Sequence, residues 1–160
     1  MKFPPEVVMF HEWLVADDLG PSSEAAARVV AQIAVDQAKV SGKQARLVLC
    51  HVVQTVPLVM SPEVTSTPVA ATLQASIEIA ERALIERAHA LQVAFPTLKI
   101  DTRLPMGPTV RTVLEEADRE HVDGIAVGST GRHGIAHALL GSNAERTVHR
   151  SHKTVLVVKH

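Results

Sequence analysis

The sequence predicts an α/β fold, an open, mostly parallel sheet of five strands with helices on both faces, Rossmann-like in its layering. Short apolar runs of strand length alternate along the chain with longer segments of helical period, the order that builds βαβ units with right-handed crossovers. The apolar share is 46%, yet there are only one Trp, three Phe and no Tyr, so the core is aliphatic and suits helices packed on strands. A length of 160 residues fits one domain of the usual size, roughly 100–150 residues, and neither an internal repeat nor a low-complexity segment argues for more.

The elements follow in order. Residues 7–16, VVMFHEWLVA, form an apolar run that ends at Asp17-Asp18-Leu19-Gly20-Pro21, a strand delivering the chain to a turn. Ser22 or Ser23 is expected to cap a helix in which Ala26, Val29, Val30, Ile33, Val35 and Ala38 keep the period until Ser41-Gly42 stops it. A second strand is expected at Ala45–Val53. Residues 54–67, with Pro57, Pro62 and several Ser and Thr, have no periodicity and read as an exposed loop, the one segment suited to be a lid. From Pro68, the positions Leu73, Ile77, Ala80, Leu84, Ala88 and Leu91 mark a long amphipathic helix that ends before Pro96.

Leu98–Leu104 reads as the third strand. After Met106-Gly107-Pro108, the positions Val110, Val113, Leu114 and Ala117 give a helix with Pro108 in its first turn. Gly124–Val127 is the fourth strand, and residues 128–141 a loop with four glycines. Ser142 opens a short helix to about Arg150, and Thr154–Lys159 is a fifth strand of nearly unbroken Val and Leu.

Composition excludes several classes of partner. Sixteen basic residues stand against seventeen acidic ones, a formal charge of −1, and no block of like charge offers an electrostatic footprint for nucleic acid. No apolar stretch approaches the ~20 residues that a membrane span needs. The start of the chain lacks a signal-peptide pattern and Cys50 lies alone in an apolar run, so a cytoplasmic, reducing location is expected.

In open α/β sheets ligands bind beyond the carboxyl ends of the strands, where the strand order reverses. Two such ends are polar here, Asp17-Asp18 after the first strand and Gly128-Ser129-Thr130-Gly131-Arg132-His133-Gly134 after the fourth. The loop closes on Gly141-Ser142-Asn143-Ala144-Glu145, which has the Ser-x-x-Glu form of a capping box. Free N–H groups at the start of that helix would favour an anion. Gly128, Gly131 and Gly141 would let backbone approach a phosphate, and Arg132 would add charge at the rim. The alternative is structural: glycines that serve turns, a serine that caps, and an arginine in water.

The spacing Gly-x2-Gly-x9-Gly-Ser, with Leu139-Leu140-Gly141-Ser142, Ala144-Glu145-Arg146 and Val155-Leu156-Val157-Val158 in register after it, resembles the universal stress protein family. The resemblance covers the whole chain: Trp13 to Leu19 is similar to the family's first strand and its aspartate, Leu49 to Val53 to its second strand, and Met106-Gly107-Pro108 to its turn into the third helix. It implies the strand order 3-2-1-4-5, which makes strands one and four neighbours. In the family's nucleotide-binding branch, Asp18 and the backbone at Val52 would contact adenine, Gly128 the ribose, and Gly131, Gly141, Ser142 and Asn143 the phosphates.

The sequence departs from the family at Asp17, where an uncharged residue is usual, at His133 for a glycine, at Asn143 for a Val, and at Ser151–Thr154 for a proline-containing turn. On one strand Asp17 and Asp18 would point to opposite faces, so a structural partner is expected for Asp17.

Competing chemistry is less well supplied. A phosphoacceptor domain needs a further carboxylate beyond its third strand, but Asp101 sits inside that strand. The pairs His133/His137 and His149/His152 lack a ligand set at zinc spacing, and His51 reads as a hydrogen-bonded core residue. There is no Gly-x4-Gly-Lys-Ser/Thr loop, Gly-x-Ser-x-Gly elbow or His-Glu-x-x-His helix. The expectation is a regulatory stress protein that binds ATP, ADP or AMP with Mg²⁺ or Mn²⁺, and turns ATP over slowly or not at all. The alternative is a stress-associated interaction protein with an empty or vestigial pocket. A homodimer is expected through the fifth strand, whose Val155, Leu156, Val157 and Val158 leave both faces of an edge apolar.

Overall fold

The computed structural model describes residues 8–54, 67–130 and 140–159, with the backbone alone at 67–70. Strands β1 (Glu12–Ala16), β2 (Arg46–Cys50), β3 (Lys99–Arg103), β4 (Gly124–Gly128) and β5 (Thr154–Val158) form one parallel sheet in the order β3-β2-β1-β4-β5. Helices α1 (Pro21–Ser41), α2 (Thr67–Ala94), α3 (Thr109–Arg119) and α4 (Ser142–Arg150) alternate with them. The expected fold class and strand order are both found.

The period of two along a strand divides the core into two layers. Trp13 and Val15 of β1, Leu47 and Leu49 of β2 and Ala126 of β4 pack with α1 and with Leu84 and Leu91 of α2. Leu14, Val48, Cys50, Ile125 and Val127 face the other way, onto Val113 and Ala117 of α3 and Ala144 of α4. Both faces of the central strands are therefore dry, which is why they read as unbroken apolar runs rather than as alternation.

Element ends differ from the sequence reading for identifiable reasons. β1 begins at Glu12 rather than at residue 7, because side chains take the preceding N–H groups: Phe10 N–H donates to Gln37 Oε1, and His11 and Glu12 N–H donate to Asp123 Oδ2 at 3.0 and 2.9 Å. β2 ends at Cys50, and Val53 makes only an isolated bridge to Met106. β3 is shorter by one residue at each end, β5 stops at Val158, and β4 runs on to Gly128.

Ser22 and Ser23 do not cap α1. Gly20 holds the N-cap position without a side-chain bond and Pro21 starts the helix, which its fixed φ suits, so both serines lie buried in the first turn. Gly42 ends α1 as expected, with φ +68, a conformation that costs glycine little. Pro108 is the N-cap of α3 rather than a residue of its first turn, and α2 starts at Thr67.

One ion network ties β2 and β3 to the end of α3. Arg46 binds Asp101 at 2.8 Å and also pairs with Glu120, which Arg103 reaches at 2.6 Å. Burial pushes the Glu120 carboxyl up, but hydrogen bonds from Arg46 and Arg103 outweigh it and hold the group below its ordinary range.

Candidate functional site

The chain leaves β1 through two consecutive carboxylate turns. Asp17 N–H still donates to Cys50 C=O at 2.8 Å, after which Leu19 adopts φ +64 and the backbone turns away from the sheet. Asp17 Oδ1 accepts the Leu19 N–H at 2.7 Å and Asp18 Oδ1 the Gly20 N–H at 2.9 Å. Strand alternation has ended by this point, so the two carboxylates do not diverge as expected: Ser23 Oγ lies 2.8 Å from Asp17 Oδ1 and 2.7 Å from Asp18 Oδ1.

Asp17 has the structural partner that its position called for. Its side chain is wholly buried and pairs with Arg87 of α2, whose Nη1 also donates to Ser23 Oγ at 3.1 Å and whose Nη2 donates to Gly20 C=O at 3.2 Å. The sequence reading missed Arg87, although a signal was present. Ala80, Leu84, Arg87 and Leu91 fall at i, i+4, i+7 and i+11, which puts a guanidinium in the buried stripe of α2. Asp18 keeps one oxygen available, since among the described residues its bonds all go to Oδ1.

Past the end of β2, His51 N–H donates to Arg103 C=O at 3.0 Å and Val53 N–H to Pro105 C=O at 2.9 Å, both toward β3. Val52 lies between them, so its N–H and C=O face the side that β1 has vacated, and neither enters a backbone bond among the described residues. His51 is the hydrogen-bonded residue expected. Its Nδ1 lies 2.7 Å from Asp17 C=O, and because a carbonyl only accepts, that nitrogen carries the proton. Cys50 is a core residue whose thiol burial pushes up to about 12, so it stays protonated and unreactive.

On the β4 side, a Cβ at Gly128 would stand 2.6 Å from Ser22 Oγ and 2.7 Å from the Ser22 backbone carbon. The residue is therefore glycine because the first turn of α1 packs against it, whatever else approaches its free side. Ser129 N–H donates to Val158 C=O at 2.8 Å, and Ser129 C=O accepts the Gly141 N–H at 2.7 Å, which pins the two ends of the long loop together.

Gly141 is the N-cap of α4, in ordinary extended backbone with φ −67 and ψ 148. Ser142 is thus the first helical residue rather than the cap, and the expected capping box does not form: the Glu145 N–H goes to Gly141 C=O at 2.9 Å and no side chain caps the helix. The N–H groups of Ser142 and Asn143 are left without backbone acceptors among the described residues, and both residues are exposed. Gly131 and Arg132, together with His133, Gly134 and His137, lie outside the described residues.

Ala16 pairs with Val127, so the ends of β1 and β4 are adjacent. Asp18, Val52, Gly128, Gly141, Ser142 and Asn143 consequently meet at one end of the sheet, the carboxyl end. Among the described residues they present a carboxylate acceptor and unpaired strand backbone on one side, and a helix N-terminus without a side-chain cap on the other. A separate cleft of about 260 Å³ between α1 and α2 is lined by Glu24, Arg28, Glu86, Arg87 and Leu91 among others, and contains none of these residues.

The universal stress protein family model matches residues 9–159. The chain belongs to the universal stress protein family. It is 32% identical over 146 residues to the universal stress protein A homolog 1 of Coxiella burnetii, covering 91% of this chain and 93% of that one. It is also 40% identical over 62 residues to a universal stress protein of Methanocaldococcus jannaschii, a match that spans only 36% of that protein.

Among solved structures, the universal stress protein UspA of Lactobacillus plantarum superposes with a TM-score of 0.78 at 21% identity, covering 95% of this chain and 99% of that one, a likeness of fold. A universal stress protein solved in complex with cAMP has a TM-score of 0.63 at 25% identity, covering 95% and 98%. An Arabidopsis thaliana member of the family solved with AMP bound has a TM-score of 0.58 at 17% identity, covering 93% and 91%. In this stress protein no helix among the described residues is long and apolar enough to cross a membrane.

Proposed function

We propose that this stress protein acts as a single-domain, cytoplasmic regulatory protein that binds an adenine nucleotide in the crevice between the ends of β1 and β4. The observation that carries this reading is the pairing, at the carboxyl end of the sheet, of two sets of groups that have no partner among the described residues. The free oxygen of Asp18 and the unpaired backbone at Val52 suit the donor and acceptor edge of adenine, while the uncapped N–H groups of Ser142 and Asn143 suit phosphate. Gly128 would lie at the ribose, and Gly131 and Arg132 would complete the phosphate loop. Relatives solved with cAMP and with AMP support the ligand class.

The described residues contain no group of three His, Cys, Asp or Glu side chains able to hold a metal ion. Mg²⁺ or Mn²⁺ would therefore enter on the phosphates of ATP or ADP rather than on a cage of side chains. Mass spectrometry of small molecules released from the purified, denatured protein tests the ligand class directly: an adenine nucleotide is expected, and none at all favours the reading of an interaction protein with an empty pocket.

Binding rather than turnover is the expected role. The sequence has no phosphate-binding lysine motif, and among the described residues no general base is placed for water. Steady-state phosphate release is expected to stay far below ~1 s⁻¹, the low end of ordinary enzymes, and release at or above that rate would identify a missed catalytic group.

The same reading includes a homodimer through β5. This strand is an edge of the sheet, and Val155, Leu156, Val157 and Val158 are each only partly buried. Val158 C=O accepts from Ser129, so Val158 faces β4 and the N–H and C=O of Val157 face the open edge. Two copies of β5 running antiparallel across a two-fold axis would pair those groups and cover the outer valines. Val157→Pro removes a donor from the free edge without touching the β4 ladder. Light scattering over a dilution series is expected to give a dimer mass for the natural chain and a single-chain mass for the variant; a single-chain mass for both at micromolar concentration contradicts the dimer.

A further inference from the structure

We propose that Arg87 is a positioning residue for Asp18, and that through Asp18 it sets the preference of the crevice for an adenine ring; the inference rests on the nucleotide-binding reading above. The Ser23 hydroxyl has one proton and three acceptors around it: Asp17 Oδ1 at 2.8 Å, Asp18 Oδ1 at 2.7 Å and Gly20 C=O at 3.0 Å. Arg87 satisfies the two competitors, with Nη1 on Asp17 and Nη2 on Gly20 C=O at 3.2 Å, and Nη1 also occupies a lone pair of Ser23 Oγ at 3.1 Å. The proton is thereby left to Asp18.

Asp18 Oδ1 is then held between the Ser23 hydroxyl and the Gly20 N–H, while its Oδ2, unpartnered among the described residues, stays available to a ligand. Without the guanidinium, the wholly buried Asp17 becomes the strongest unmet acceptor and draws the hydroxyl to itself. Asp18 would be left on one backbone N–H, free to rotate. A carboxylate only accepts hydrogen bonds, so a fixed Asp18 favours a purine bearing an amine over one bearing a carbonyl at the same place. Arg87 projects from α2, the element that follows the 55–66 segment, so the base-binding end of the crevice is tuned from outside the glycine loop.

The test is titration of ATP and of inosine triphosphate, each with Mg²⁺, into the full chain and into Arg87→Met, Ser23→Ala and the Asp17→Asn/Arg87→Met pair, with circular dichroism confirming the fold. In Arg87→Met and in Ser23→Ala the preference for ATP is expected to fall about tenfold, the loss of one hydrogen bond to a charged group, while affinity for inosine triphosphate is unchanged. The pair, in which no buried charge competes for the hydroxyl, is expected to regain the preference; a purely structural arginine predicts no such recovery.

An unchanged preference in Ser23→Ala or in folded Arg87→Met overturns the inference, as does a pair that stays impaired. Should Arg87→Met fail to fold, Ser23→Ala and the pair decide in the same way. If the natural chain binds neither nucleotide, the proposed function fails by itself, and crystal structures then decide the positioning role. Ser23 Oγ turned off Asp18 in the variant lacking Arg87 supports it, and an unmoved hydroxyl overturns it.

Discussion

Replacing Arg87 with methionine is expected to cost ~3–5 kcal/mol of folding stability, the usual result of stripping a buried charge of its partner. The Asp17 side chain has no exposed surface, its Oδ2 has no hydrogen-bond partner, and Arg87 is its one ion-pair partner among the described residues. Methionine keeps the apolar stem of Arg87 and removes only the guanidinium, so the change reports on the charge rather than on packing. Urea unfolding is expected to register the loss, together with a melting temperature lower by on the order of 10 °C. The Asp17→Asn/Arg87→Met pair is expected to recover most of it, because neither residue then carries charge. A single variant that loses less than ~1 kcal/mol would mean that water reaches Asp17.

The carboxylate turn also marks where sequence reasoning lost its footing. Apolar runs located the five described strands and helical period located α1, α2 and α3, because each central strand buries both faces and each of these helices buries one stripe, whereas α4 was placed from a Ser-x-x-Glu pattern whose capping box does not form. Strand order came from the likeness of the glycine loop to a family, not from periodicity, which is blind to which strands pair. Asp17 and Asp18 were expected on opposite faces, but β1 ends at Ala16 and the left-handed residue Leu19 turns both carboxylates onto one serine.

Helix starts were misjudged by the same kind of local competition. Ser22, Ser23 and Ser142 have the chemistry of caps, yet the glycine one to three residues before each holds the cap position, and the serines fall inside the first turn. Gly128 looked free for a ligand, whereas its missing side chain makes room for Ser22, a contact between residues 106 positions apart that no local pattern encodes. Arg87 was legible only as an interruption in the stripe of α2.

The second large effect is expected at Gly141. Its backbone is ordinary for any residue, so Gly141→Val adds no backbone strain and is expected to cost the ~1 kcal/mol that a branched apolar residue costs at an N-cap. An N-cap side chain lies over the N–H groups of the first turn, and there the isopropyl group would cover the donors of Ser142 and Asn143 with carbon. Phosphate would lose both the approach and the charge of the helix end. Ser142→Ala, which keeps the backbone donors and changes a side chain that makes no cap, is expected to weaken binding far less.

Calorimetric titration of ATP with Mg²⁺ into the natural chain and into folded Gly141→Val decides whether nucleotide phosphates bind at the start of α4. Saturable binding by the natural chain and no detectable binding by the variant is the result expected; equal affinity in the two proteins, or no heat from either, would contradict a nucleotide site whose phosphates rest on the start of α4.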